Sequence, residues 1–157
     1  MGVEIERKFL VAGDRWRSGD HPSQGFRQFY LARADGFSAR VRIVDEAQAF
    51  LTLKTGRGRS RGEFEYPIPL RDAHDLEAAR TGELIAKRRH RIAHGRHVIE
   101  VDVFEDALHP LVVAEIELET EEDDVALPDW FGREVTDDPA FSNAALAADG
   151  LPEEFRS

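Results

Sequence analysis

The sequence predicts a mainly β fold of the α+β class: eight antiparallel strands closed into a barrel, with helices covering its outer side. Three observations point there. Short segments that alternate polar and apolar residues follow one another, separated by turn signals. In nearly every segment one parity is ionisable and the other apolar. Helical patterns occur only in the gaps between segments and near the C-terminal end.

The strands are expected at 3–11, 26–33, 37–44, 49–55, 63–70, 86–93, 97–104 and 112–120. The segments ADG (34–36), DEAQ (45–48) and AHGR (93–96) have the composition of hairpin turns, and GRGRSRG (56–62) of a longer loop. The stretch from Asp106 to Pro110 turns the chain into the eighth strand. A helix over 72–82 has an aspartate start, apolar spacing at Leu76 and Ala79, and a glycine stop. A second helix over 138–150 begins at Asp138 before Pro139 and ends at Gly150. PDWFG (128–132) reads as a helical turn.

The 157 residues suit one domain, 1–157, long enough to bury a core. A net charge of −10 argues against a nucleic-acid or anionic-membrane partner, but leaves room for a local basic pocket. With no cysteine, disulfides, thiolate metal sites and cysteine nucleophiles are excluded. The chain enters a polar strand with no basic-then-apolar leader, and its apolar runs are too short to span a bilayer. A soluble cytoplasmic protein is therefore expected. Nothing fixes an oligomeric state, and a homodimer is left open.

Reading one parity of each strand gives the pointed signal. The first strand contributes Glu4, Glu6 and Lys8, the third Arg40 and Arg42, and the fourth Lys54. The fifth gives Glu63 and Glu65, and the sixth Lys87, Arg89 and Arg91. The seventh gives Glu100 and Asp102, and the eighth Glu115, Glu117 and Glu119. A solvated sheet face mixes neutral polar residues with scattered charges, whereas here acids and bases are segregated by strand. The only lysines, Lys8, Lys54 and Lys87, stand among 18 arginines, and all three fall in these strands. If this parity faces inward, its charges must be hydrated, paired or satisfied by a ligand. Six inward cations (Lys8, Arg40, Arg42, Lys54, Lys87 and Arg89) ask for a polyanion. Inward carboxylates cannot hold that anion directly, but they can hold hard divalent cations that bridge to it. Metal plus polyphosphate meets both demands.

These residues resemble a known family. EIERKFLV (4–11) resembles the ExExK signature that opens the CYTH superfamily, the triphosphate tunnel metalloenzymes. The resemblance continues through QFYL (28–31), ARVRI (39–43), LTLKTG (51–56), EFEYPI (63–68), KRRHRI (87–92), VIEVDVF (98–104), AEIEL (114–118) and EVTDDPAFSNAALA (134–147). It implies an eight-stranded tunnel that binds a triphosphate with Mg²⁺ or Mn²⁺, one mouth plugged by the C-terminal helix. It further implies that the six cations bind phosphate oxygens. Glu4, Glu6, Glu115 and Glu117 would be the main metal ligands, with Glu63, Glu65, Glu100 and Asp102 in support. Lys8, beside Glu4 and Glu6, is the candidate proton relay, which makes these three the catalytic set. The expected activity is hydrolysis of inorganic tripolyphosphate to pyrophosphate and phosphate. The alternatives are an adenylate cyclase or thiamine triphosphatase of the same superfamily, or a polyphosphate-binding module without turnover.

Three other features read as ordinary surface. GRGRSRG is expected to be a loop, from which Arg61 alone reaches a phosphate. His90, His94 and His97 straddle a hairpin turn, and ETEEDD (119–124) reads as a solvated strand exit.

Overall fold

A computed structural model describes residues 5–56 and 62–156. Its strands are β1 (Ile5–Val11), β2 (Ser23–Ala34), β3 (Phe37–Val44), β4 (Gln48–Thr55), β5 (Gly62–Ile68), β6 (Thr81–His94), β7 (His97–Phe104), β8 (Val112–Leu118) and β9 (Phe131–Glu134). Two short helices, α1 (Leu70–Leu76) and α2 (Asn143–Asp149), complete the regular structure with a few 3-10 turns. All strands join one antiparallel sheet in the order β5-β4-β3-β2-β6-β7-β8-β1-β9.

The expected closed barrel of eight strands is corrected here: among the described residues the sheet has nine strands, and its ends, β5 and β9, do not pair. Both ends are poor partners. Pro67 has no amide hydrogen to give in β5, and β9 is only four residues long. Phe64 and Tyr66 of β5 remain 45% and 51% exposed, while Ile68 at the end of the strand packs against the core.

The apolar parity faces outward, under helices and loops. Phe29, Val41, Ile43 and Ala49 form a cluster closed by Ala73, with Leu70 and Leu76 of α1 packed against it. Phe9, Ile99, Val101, Ala114, Ile116 and Leu118 form another with Trp16, flanked by Trp130 and Phe131. Trp16 comes from a 3-10 turn at Arg15–Arg17, and the Arg17 guanidinium lies 4.3 Å from its ring.

On the opposite face, a third cluster gathers Tyr30, Ile85, Phe104 and Val113 from four strands around Phe141, Leu146 and Ala147. The Phe141 turn and α2 together meet side chains from four strands because the sheet curls around them, so this face is concave. Ser142 starts α2 by accepting a hydrogen bond from the Ala145 amide, and Gly150 ends it with φ +76°. At Gly82 a Cβ would lie 2.8 Å from the Ala147 carbonyl, so the glycine lets α2 approach β6.

Three expectations shift in detail. The helix expected over 72–82 starts and stops earlier, because Thr81 and Gly82 already belong to a 14-residue β6. PDWFG contains a turn closed by the Phe131 amide on the Pro128 carbonyl, but Phe131 opens β9. In ETEEDD, Asp123 folds back to accept from Arg96, His97 and the Glu119 amide. His94 and His97 flank the β6–β7 turn as expected, and His90 packs edge-on against Trp16. No group of three metal-ligating side chains forms among the described residues. No helix is long and apolar enough to cross a membrane among them either.

Candidate active site

The concave face follows from strand periodicity, since alternate side chains of each curled strand project to the same side. Along β6 it carries Ile85, Lys87 and Arg89, along β7 Phe104, Asp102 and Glu100, and along β8 Val113, Glu115 and Glu117. Each row starts apolar under α2 and becomes more exposed away from it. Asp102 is 3% exposed, the Glu100 side chain 29%, and Glu117 is open to solvent.

The most buried charges form a triad. Arg89 forks onto Asp102 with contacts of 2.8 and 2.9 Å, and Lys87 Nζ reaches the same carboxylate at 2.8 Å. Burial alone would raise the Asp102 pKa, but the two cations hold it well below the usual carboxylate range. Burial likewise disfavours the Arg89 charge, and the Asp102 fork more than offsets it. Lys87 is wholly buried; it also donates to Asn143 Oδ1 at 3.2 Å and lies 5.3 Å from the Phe104 ring. One carboxylate thus serves two cations, which leaves net positive charge at depth. Further out, Glu100 accepts from Arg89 and Arg91.

Arg40 and Arg42 on β3 are held differently. Arg42 Nε donates to Gln28 Oε1 at 2.9 Å, and its guanidinium lies 4.4 Å from the Phe26 ring. Burial, then the like charges of Arg40 and Arg89, push the Arg42 pKa down. An arginine stays protonated regardless, so the shift reflects mainly the cost of burying its charge and, after that, the nearby like charges. Arg40 Nε and Gln28 Nε2 are buried donors with no acceptor in reach among the described residues. Lys54 stands opposite Glu63, and Thr52 opposite Glu65, to which its hydroxyl donates at 3.4 Å.

On β1, Lys8 faces Glu115 across the ladder at 3.6 Å and donates to the Phe141 carbonyl at 3.2 Å. Beyond it, Glu6 stands directly opposite Glu117, and Glu100 opposite Glu115. Like charges directly opposite each other are unfavourable unless something between them is positive. Glu4 and Arg61 lie outside the described residues.

For a divalent metal the donors suit a hard cation. Magnesium keeps several waters and takes one or two carboxylates plus phosphate oxygens, so the opposed Glu6 and Glu117 fit it when a phosphate completes the set. Asp102 has both oxygens engaged by Arg89 and Lys87, and Glu63 and Glu65 belong to β5 at the far end of the strand order. Phe26, Gln28 and Asn143, which contact Arg42 and Lys87, carry no ionisable group and so leave no mark in the charge pattern. The second strand's charge-free parity was the available signal for the first two.

This architecture has known counterparts, and the CYTH domain family matches residues 2–142. The chain belongs to the CYTH family. Among similar proteins, an inorganic triphosphatase of Acetivibrio thermocellus is 41% identical over 150 residues, covering 93% of this chain and 94% of its own. An inorganic triphosphatase of Nitrosomonas europaea is 38% identical over 150 residues, covering 92% and 97%. A crystal structure of an inorganic triphosphatase superposes with a TM-score of 0.73 at 34% identity, covering 94% of this CYTH chain and 95% of its own.

Proposed function

We infer that this CYTH protein is a metal-dependent inorganic triphosphatase that hydrolyses tripolyphosphate to pyrophosphate and phosphate. The observation that carries the reading is the excess of buried positive charge on the concave face. Lys87 and Arg89 share one carboxylate, Arg42 leans on a neutral amide, and the two orphan donors point the same way. Buried donors without acceptors among the described residues leave hydrogen bonds that phosphate oxygens would fill. Two full-length relatives bearing the name inorganic triphosphatase support the choice of substrate.

Hydrolysis breaks one phosphoanhydride P–O bond and forms a new P–O bond to water, with charge building on the leaving phosphate. Positioning and neutralisation supply most of the rate. Lys87, Arg89, Arg40, Arg42 and Lys54 bind the phosphate oxygens, and the α2 end limits how deep the chain enters. Glu6 and Glu117, with Glu4, hold Mg²⁺ or Mn²⁺, which supplies further neutralisation and acidifies water when bound. Lys8 stands between the carboxylates and α2, where it contacts a phosphate and relays a proton.

Phosphate release from tripolyphosphate, measured with Mg²⁺ or Mn²⁺ and again with EDTA, tests the reading. Metal-dependent release that Arg42→Ala lowers at least about tenfold, with the fold intact, is the expected result. Tight tripolyphosphate binding with no metal-dependent release would instead make the protein a binding module. Formation of cyclic AMP from ATP would favour the cyclase alternative.

A further inference from the structure

Arg42 and Arg89 stand on the two strands that flank β2, and β2 places one aromatic ring within reach of both. The Phe26 centroid lies 4.4 Å from the Arg42 guanidinium and 5.1 Å from that of Arg89. Phe26 is 4% exposed, and its backbone pairs with Val44 of β3 on one side and Lys87 of β6 on the other. The ring is therefore fixed relative to both cation-bearing strands.

The two arginines differ in what else holds them. Arg89 is forked onto Asp102, which aims it but neutralises much of its charge. Among the described residues Arg42 has no such carboxylate fork; its side-chain hydrogen bond goes to the neutral Gln28 amide. A guanidinium can be aimed by a carboxylate, which spends its charge, or by an aromatic face, which attracts the cation through its quadrupole and leaves the charge in place. Phe26 does the second.

We propose that Phe26 is a positioning residue for the triphosphatase site: its ring holds Arg42 at a set separation from Arg89 while leaving the Arg42 charge available to the substrate's phosphates. The proposal rests on the triphosphatase reading above for its kinetic arm. A purely structural Phe26, filling space beneath the strands, is the rival account.

A double-mutant cycle separates the two. Phe26→Leu keeps an apolar side chain but removes the ring, and Phe26→Tyr keeps the ring. With tripolyphosphate and Mg²⁺, F26L is expected to raise KM about five- to twentyfold with kcat within about threefold, and F26Y to stay within about twofold of wild type. In an Arg42→Ala background F26L is expected to add less than about a twofold change. Wild-type kinetics in F26L, failure of F26Y to rescue, or an undiminished F26L effect without Arg42 would each overturn the proposal. F26M fills the ring's volume without a π face and serves the same comparison if F26L does not fold. If the wild-type protein does not turn over tripolyphosphate, the triphosphatase reading fails. The rise in thermal midpoint on adding tripolyphosphate then tests Phe26 alone: a smaller rise in F26L supports it, and an equal rise overturns it.

Discussion

Where Lys87 and Arg89 both lean on Asp102, removing the carboxylate would strand two cations in the interior. Asp102→Asn is therefore expected to cost about 3–5 kcal/mol of stability at neutral pH. The sign of the pH dependence follows from the depressed Asp102 pKa. Its contribution is present above the ordinary carboxylate value, about pH 4, and is lost as pH falls below it. Urea unfolding of wild type and D102N between pH 3 and 7 should converge toward acid, and parallel curves would contradict this account. Glu117 makes the opposite case, since it faces Glu6 across the ladder. Glu117→Gln is expected to raise the Mg²⁺ concentration for half-maximal activity about tenfold. An unchanged metal titration would remove Glu117 from the ligand set.

At the scale of elements, α2 both closes the concave face and holds two of its lysines, through the Phe141 carbonyl before it and Asn143 within it. Gly82→Ala would press a methyl group against the Ala147 carbonyl and force a side chain into φ +77°. It is expected to cost about 1–3 kcal/mol and to raise KM for tripolyphosphate, checked by thermal melts and steady-state kinetics. A destabilised variant with unchanged KM would make α2 a cover only. The strands most readable in sequence were those with strict alternation: β3 and β7 occupy 37–44 and 97–104 as expected. β9 was not legible, because FGRE is too short to show a period. Its position depends on the Arg7–Glu134 fork and the Phe9–Phe131 ring contact at 4.6 Å, which are distant in sequence. The start of β6 was hidden for a related reason: TGELIA reads as a helix exit until tertiary pairing with β2 claims it. In the candidate site, charge parity identified the ionisable residues. It could not show that Asp102 would be shared by two cations, nor that Phe26 and Gln28 would flank Arg42, since neither fact has a periodic signature.

For the whole molecule, a net charge of −10 coexists with a concave face whose deepest charges, Lys87 and Arg89, share one carboxylate. Raising salt should weaken tripolyphosphate binding less than it would for an exposed basic patch, because buried charges are poorly screened. Isothermal titration between 50 and 500 mM NaCl measures this, and a loss of more than about a thousandfold would place the anion on an exposed surface instead. The unpaired ends of the sheet have a mechanical meaning. A closed barrel has its circumference fixed by strand number and register. Among the described residues β5 and β9 leave the ring without a final rung, so no hydrogen-bonded hoop of these strands sets the girth. In the proposed binding mode, a polyanion held at once from β1, β3 and β6 would brace strands that are not neighbours in the sheet, and the substrate would size its own container.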